Sequence, residues 1–217
     1  MKKTIELCKV RQGETFTLDG VEFVKLDEAA DCSFVLTSDV ALKNIPFEDE
    51  DAEREDHNNF CGSNIEKAME RWLRENHKPI FDASQEYPID LTTMDGMTDY
   101  GAPLSGARLL TIDEYRKYRR FIPLASERYW LATGWTTASS PLSGARIAYR
   151  VVTGGALSND RVYRAGFAAR PALYLKSSIL VSIETENGQE EKTVRDFTDT
   201  ELMDELYRRR RESYDAD

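Results

Sequence analysis

The sequence contains few of the residues that build covalent or metal-bound frameworks. It has three cysteines, Cys8, Cys32 and Cys61, without a Cys-x-x-Cys pair, and only two histidines. An odd number of widely spaced cysteines argues against a disulfide framework and against a zinc site. We therefore expect buried free thiols, no metal and no cofactor.

A long hydrophobic run is also missing. Lys2 and Lys3 lie near the start, but Glu6, Lys9 and Arg11 interrupt any apolar core of a signal sequence. A helix that spans a membrane needs about 20 mainly apolar residues. We expect no cleaved signal, no membrane partner and a protein that is cytoplasmic as synthesised.

The chain has fewer basic than acidic residues. The chain has 29 Lys and Arg against 39 Asp and Glu, which gives a net charge of −10, and residues 48–56 carry much of the excess. A run that is this acidic repels phosphates, so nucleic acid is not an expected partner. The run also lacks the alternating spacing and the turn glycine of a calcium loop. It is predicted to be a solvated loop.

Length and pattern favour one domain with a tail. A chain of 217 residues with 41% hydrophobic content can bury one substantial core. Alternating apolar residues at 15–18 and 21–26 flank Asp19-Gly20, a sequence that is typical of a tight β-hairpin. The short apolar run at 32–36 predicts a further strand beside this hairpin.

Two helices are predicted by capping boxes. Ser63 with Glu66, and Thr111 with Glu114, have the spacing at which each side chain satisfies a free backbone amide at a helix start. Apolar residues recur at helical spacing behind both boxes. Trp72 falls on the apolar face of the first helix and is predicted to belong to the core.

Residues 183–217 are predicted to form a charged linker and a C-terminal amphipathic helix. A third capping box lies at 198–201, and the basic residues 208–211 suit the end of the helix dipole. Isolated helices of this length are marginal in water. Helix 198–211 is therefore expected to dock a partner, to self-associate or to pack on its own domain.

Residues 128–176 form the most distinctive segment. Tyr129-Trp130-Leu131 predicts a buried strand with Trp130 in the core, and 169–175 predicts another. The residues between them are rich in Gly, Ser, Thr, Tyr, Asn and Arg. Such a composition suits a displayed recognition surface, although an ordinary loop-rich β-meander has a similar one.

The polar and aromatic side chains of this segment are the candidate ligand-binding residues. If Val151 and Val162 point inward, the strand period of two turns Arg150, Arg161 and Tyr163 outward. We expect these side chains to form one exposed patch. The full candidate set is Trp135, Thr136, Ser139, Tyr149, Arg150, Ser158, Asn159, Asp160, Arg161, Tyr163 and Arg164.

Three short motifs resemble those of an uncharacterised domain family of gut bacteria and their phages. They are Arg-Tyr-Trp-Leu at 128–131, Val-x-x-Gly-Gly-x-Leu at 151–157 and Arg-Pro-Ala-Leu at 170–173. That family is similar to C-type lectins of the formylglycine-generating-enzyme branch. Some members are variable proteins of diversity-generating retroelements, in which a C-terminal segment is rewritten at adenine-containing codons.

The resemblance covers residues 13–176 and has two departures. Ala132-Thr133 stands where the family usually shows Arg-Ser, and residues 167–170 replace the usual Gly-Val-Arg. It implies an α+β fold of the C-type-lectin-like kind for residues 1–182. Twisted antiparallel sheets, two flanking helices and a loop-rich C-terminal half are expected.

The resemblance also implies a function. The leading hypothesis is a non-enzymatic protein that binds an unknown protein or cell-surface ligand through a surface diversified within 132–164. The alternative is a structural or accessory phage or prophage protein that uses the same fold for assembly, which would associate with the virion.

An enzyme is the weakest of three hypotheses. The enzymes of the formylglycine-generating branch use paired cysteines in the C-terminal half of the domain. Cys61 is the last cysteine of this chain, and neither His57 nor His77 has a Ser or Cys that the sequence places as a partner. Catalysis would require a metal-independent site of unrecognised type, so no catalytic residues are predicted.

Overall fold

The computed structural model describes residues 2–142 and 144–184. The fold is mixed α+β, and its strands are mostly antiparallel. This confirms the predicted class. Among the described residues, no helix is both long and apolar enough to cross a membrane.

The chain divides into two units. One is Thr4–Ile183, and the other combines Met1–Lys3 with Glu184–Asp217. Nearly all of the second unit, including the predicted helix 198–211, lies outside the described residues. The predicted linker and helix therefore stay predictions.

The elements are short and are joined by long connections. Those before the midpoint of the chain are β1 (Lys2–Glu6), a 3₁₀ turn (Leu7–Lys9), β2 (Thr15–Leu18), β3 (Val21–Ala29), β4 (Cys32–Thr37), α1 (Asn64–Asn76), α2 (Lys78–Ala83), β5 (Ser84–Gln85), β6 (Tyr87–Pro88) and β7 (Leu104–Ser105). Those that follow are α3 (Ile112–Tyr118), β8 (Tyr129–Gly134), β9 (Ile147–Val151), β10 (Leu157–Arg161), β11 (Ala172–Lys176) and β12 (Leu180–Glu184).

The largest sheet has seven strands and curls into a half-barrel. Its order is β1-β12-β2-β3-β4-β11-β5, so the early hairpin and β11 lie in one sheet, as predicted. Phe16 and Phe23 stack at 5.5 Å and share a buried core with Leu173 and Leu175. The remaining strands form a three-stranded sheet β10-β9-β8 and a two-stranded sheet β6-β7.

The first hairpin forms because its turn tolerates left-handed backbone. Asp19 and Gly20 have φ of 49° and 78° between β2 and β3. Two successive positive φ values match the twist of a tight two-residue hairpin, and Asp-Gly is a favoured pair for them. The predicted hairpin and the predicted strand at β4 are both confirmed.

The two predicted helices are present with different caps. Thr111 and Glu114 make the complete capping box of α3. At α1 the Ser63 side chain accepts from the Glu66 amide, whereas the Glu66 carboxylate accepts from the Gly62 amide instead. The sequence did not predict α2, whose first turn contains a proline.

Trp72 on α1 is only half-buried. It packs at the edge of the core, and its ring centroid lies 4.6 Å from that of His77. It therefore contributes to the core, as predicted, but keeps part of its surface in contact with solvent. Trp130, in contrast, has no exposed surface, as predicted.

Candidate functional site

The three-stranded sheet that carries most candidate residues is covered on both faces. Along β8, Trp130 and Ala132 belong to one buried cluster, while Tyr129 and Leu131 belong to a second. Strand β9 alternates in the same way. Because successive strand side chains point to opposite faces, the sheet lies between two cores and has no single outer face.

This arrangement corrects the predicted exposed patch. Tyr149 is 8% exposed and belongs to the second cluster together with Val151. Tyr163 is half-buried and packs against the first cluster. The prediction that both tyrosines stand on an outer face was wrong, because it assumed a sheet with one buried side.

One group of candidates lies on the Tyr149 face. Asn159 pairs with Tyr149 across β9 and β10, and Arg161 follows Asn159 with the same orientation. Trp135 stacks on Tyr149 with ring centroids 6.0 Å apart and is 37% exposed. Trp135 is therefore the most exposed aromatic side chain of the candidate set, and its ring packs on the buried Tyr149.

A second group lies on the opposite face. Arg150 pairs with Ser158 in register, and its guanidinium lies 3.5 Å from the Asp160 carboxylate. Arg164 approaches the same carboxylate at 3.3 Å. These four candidates are thus separated from Tyr149 and Asn159 by the sheet itself.

The last two candidates lie in the loop after β8. The Thr136 hydroxyl donates to Asp95, and the Ser139 hydroxyl donates to Asp99. Thr137 also donates to Asp99, at 2.7 Å. Ten of the eleven predicted residues therefore form three groups, while Tyr163 packs against the first buried cluster, and the set does not meet in one patch.

An open depression of about 400 Å³ lies beside this third group. Three segments that are distant in sequence line it, with mostly polar side chains. The lining residues are Glu55, Asp56, Asn59, Asp99, Tyr100, Thr137, Ala138 and Ser139. Ser139 is the one predicted ligand-binding residue among them. The others were missed because nothing in the sequence shows that 55–59 and 99–100 meet 137–139.

Asn58 holds the depression together. Its side-chain amide donates to the carbonyls of Thr136 at 2.9 Å and Ile147 at 2.8 Å, and its carbonyl accepts from the Tyr100 hydroxyl at 2.7 Å. A Cβ at Gly134 would lie 2.6 Å from the Asn58 amide nitrogen, so only glycine permits this approach. Asn58 is completely buried and connects all three lining segments.

Hydroxyl groups that donate to Asp99 and Asp95 favour the ionised form of both carboxylates. The pKa of Asp99 is lowered by the hydroxyls of Ser139 and Thr137, and that of Asp95 is lowered by Thr136 and Thr93. Burial raises the pKa of Tyr100, which therefore stays a neutral phenol. At neutral pH the depression therefore presents the ionised Asp99 carboxylate next to the hydroxyl groups of Thr137 and Ser139, which it already orients.

The acidic run forms a loop without helix or strand, and most of its acidic side chains are exposed, as predicted. The sequence did not predict that an arginine would hold this loop in place. Arg54 pairs with Glu48 at 3.4 Å and with Asp56 at 3.1 Å. Its guanidinium also donates to the backbone carbonyls of Asp56, Asn59 and Cys61. One basic residue therefore organises the loop, and Glu48 is buried beneath it.

His57 is buried where this loop meets the connection after β10. Its ring packs edge-on against Tyr163 with centroids 5.4 Å apart, and its Nδ1 has no hydrogen-bond partner among the described residues. Burial and the nearby Arg146 lower the His57 pKa, against smaller opposing effects that include Glu48. The folded protein therefore favours neutral His57.

This burial predicts a pH dependence of stability. A lowered pKa means that the stabilisation is present above the ordinary value of 6.5 and is lost as pH falls through the folded-state pKa. We expect the free energy of unfolding to decrease between neutral and mildly acidic pH, and the decrease to be smaller in His57→Phe. Chemical denaturation across that range measures both, and an equal decrease in the two proteins would contradict the assignment.

Only one of the three cysteines is buried. Cys32 is buried, and burial raises its pKa, whereas Cys8 and Cys61 are exposed. The prediction of buried thiols is thus wrong for those two. Within 2–142 and 144–184, no group of three His, Cys, Asp or Glu side chains could hold a metal ion.

Comparison of the chain with protein-family models, with curated proteins and with solved structures found no match.

Proposed function

We propose that this protein is a non-enzymatic ligand-binding protein whose recognition surface centres on the depression lined by 55–59, 99–100 and 137–139. The observation that carries the proposal is the concave polar surface of about 400 Å³ that these three segments form. Ligand sites in proteins are typically concave and place a few polar groups so that they converge.

The lining indicates the chemistry of the ligand. Glu55, Asp56 and Asp99 supply carboxylate acceptors, and Tyr100 supplies an aromatic face. Ionised carboxylates accept hydrogen bonds and do not donate them. A ligand that presents several hydroxyl or amino donors, such as a neutral sugar or an amino sugar, fits this surface best.

Preorganisation supports the same proposal. Asn58 fixes the backbone around Thr136, and Asp99 fixes the hydroxyls of Thr137 and Ser139 before any ligand is present. Groups that are already ordered lose less conformational entropy when a ligand binds. The loop can therefore vary its exposed side chains while its backbone stays in place.

We further propose that the fold is of the C-type-lectin-like kind and that 132–164 is the diversified segment. The support is the resemblance at 128–131, 151–157 and 170–173, together with the position of Thr137 and Ser139 at the rim of the depression. A near-copy of the coding sequence beside a reverse transcriptase, differing mainly at adenines, would add to it. Without such a neighbour, a structural or accessory phage role gains weight.

Filling the depression tests the proposal. We expect a glycan array that includes neutral and amino sugars to identify bound glycans, and Ser139→Trp to weaken that binding by about ten-fold or more because the indole occupies the ligand volume. Ser139 is exposed, so the melting temperature should change little. The matched control is Ala156→Trp, at an exposed position in the turn between β9 and β10.

Two outcomes would contradict the proposal. One is that the wild-type chain binds no glycan on the array. The other is that Ser139→Trp and Ala156→Trp retain the same affinity, which would place the contact elsewhere on the protein.

A further inference from the structure

A cluster of arginines surrounds Phe167 at one edge of the three-stranded sheet. The guanidinium carbons of Arg128 and Arg150 each lie 4.8 Å from the centre of the Phe167 ring. The two cations are therefore no further apart than twice that distance. Phe167 is buried, so it forms a fixed apolar base between them.

Asp160 brings a third arginine to the cluster. Arg150 lies 3.5 Å from its carboxylate, and Arg164 lies 3.3 Å from it. Two guanidinium groups thus share one carboxylate, and Arg128 joins them through the Phe167 ring that it shares with Arg150. This local excess of positive charge stands out in a chain whose net charge is −10.

The hydrogen-bonding capacity of the cluster is largely unused. Arg150 is 13% exposed in its side chain, yet its Nε and Nη1 have no acceptor among the described residues. Arg128 is exposed and donates one long bond, at 3.5 Å, to the Gly166 carbonyl. Buried polar groups in folded proteins nearly always have partners, so the two buried, unpaired donors of Arg150 mark a position at which a ligand could supply the missing acceptor.

The electrostatics of Arg150 agree with this geometry. Burial lowers its pKa, Asp160 opposes that effect, and the neighbouring Arg128 and Arg164 lower the pKa further. Repulsion between the arginines would be relieved by a second negative charge. Guanidinium groups bind the oxygens of carboxylates and phosphates with short, charge-assisted hydrogen bonds.

We propose that Arg128, Arg150 and Arg164 form a binding site for an oxyanion group, a carboxylate or a phosphate, carried by a ligand. Arg150 supplies the fixed central donor, and the exposed Arg128 and Arg164 close on the anion from either side. This site shares no residue with the depression lined by 55–59, 99–100 and 137–139, so either can bind without the other.

Titration of the isotope-labelled full chain with sodium phosphate and, separately, sodium acetate tests the site. Sodium chloride keeps the ionic strength constant, because screening alone would change exposed charges. We expect a saturable NMR shift of the Arg150 Nε–H resonance with at least one of the two anions. The anion that produces it distinguishes a phosphate ligand from a carboxylate ligand.

A charge-matched pair of double variants makes the test specific. Arg128→Gln with Arg164→Gln should weaken anion binding by about ten-fold, since two charge-assisted partners are lost. Arg71→Gln with Arg116→Gln removes the same charge from exposed positions on α1 and α3 and should leave binding unchanged. Both pairs alter exposed side chains, so folding is expected to survive and is checked by thermal melting.

Two results would overturn the proposal, one from the anion titration and one from the double variants. If neither anion produces a saturable shift of the Arg150 resonance, no oxyanion site exists there. Equal weakening in the two double variants would show a response to net charge alone.

Discussion

Trp130→Ala is expected to lower the free energy of unfolding by about 3–5 kcal/mol, the usual cost of truncating a buried aromatic residue. Trp130 has no exposed surface, and its ring contacts Phe167 at 4.6 Å and Phe47 at 5.9 Å between centroids. Its indole nitrogen also donates to the Ile45 carbonyl at 3.1 Å. The substitution leaves a cavity and an unpaired acceptor in one place.

Trp135→Ala provides the matched control for this loss. Trp135 follows β8, the strand that contains Trp130, but is 37% exposed and stacks only on Tyr149 among aromatic rings of the described residues. Its truncation should cost less, because more than a third of its surface stays in water in the folded protein, whereas Trp130 has none exposed. Urea denaturation of both variants measures the difference, and a Trp130→Ala protein with wild-type stability would show that the core lies elsewhere.

Arg170→Met is expected to cost about 3 kcal/mol or more, because each hydrogen bond to a charged group contributes about 1.5–3 kcal/mol. Arg170 is 1% exposed, and its guanidinium donates to the carbonyls of Thr37 at 2.8 Å, Ser38 at 2.6 Å and Pro123 at 3.0 Å. It therefore ties the end of β4 to the connection that precedes β8. Methionine fills similar volume but leaves these acceptors unpaired.

Arg116→Met separates this effect from the loss of a positive charge. Arg116 lies on α3, has a half-exposed side chain and pairs with Asp113 at 3.2 Å. Exposed ion pairs of this kind contribute about 0–1 kcal/mol. Thermal and chemical denaturation should show that Arg170→Met is far less stable than Arg116→Met. Similar stabilities of the two variants would mean that the Arg170 hydrogen bonds contribute little to folding.

Local patterns in the sequence predicted the local structures correctly. Asp19-Gly20 specifies a hairpin because few other pairs tolerate two positive φ values, and Thr111 with Glu114 specifies a helix start because each satisfies the other's amide. Burial of Trp130 followed from its position in an aromatic strand. In the first two cases the determining contacts lie within a few residues of one another, whereas Phe47 and Phe167, which pack on Trp130, are distant in the chain.

The candidate site was only partly predictable, because its parts meet through tertiary contacts. The alternation along β9 correctly predicted that Arg150 and Val151 point to opposite faces of the sheet. It did not predict that a separate core covers each face. Tyr149 was for that reason placed at the surface, although it is buried. The two-residue alternation along a strand shows which side chains share a face, but it does not show what covers each face.

The sequence by itself determined the α+β class, the early hairpin, the capped helices α1 and α3 and the buried strand β8, because propensity, capping and periodicity act over short distances. Only the tertiary structure decided that Asn58 joins 55–59 and 99–100 to 137–139, and that Arg128 meets Arg150 at Phe167. Those contacts join segments separated by about 20 to 80 residues in the chain. No local sequence pattern shows which distant segments will come into contact, because that depends on how the whole core packs.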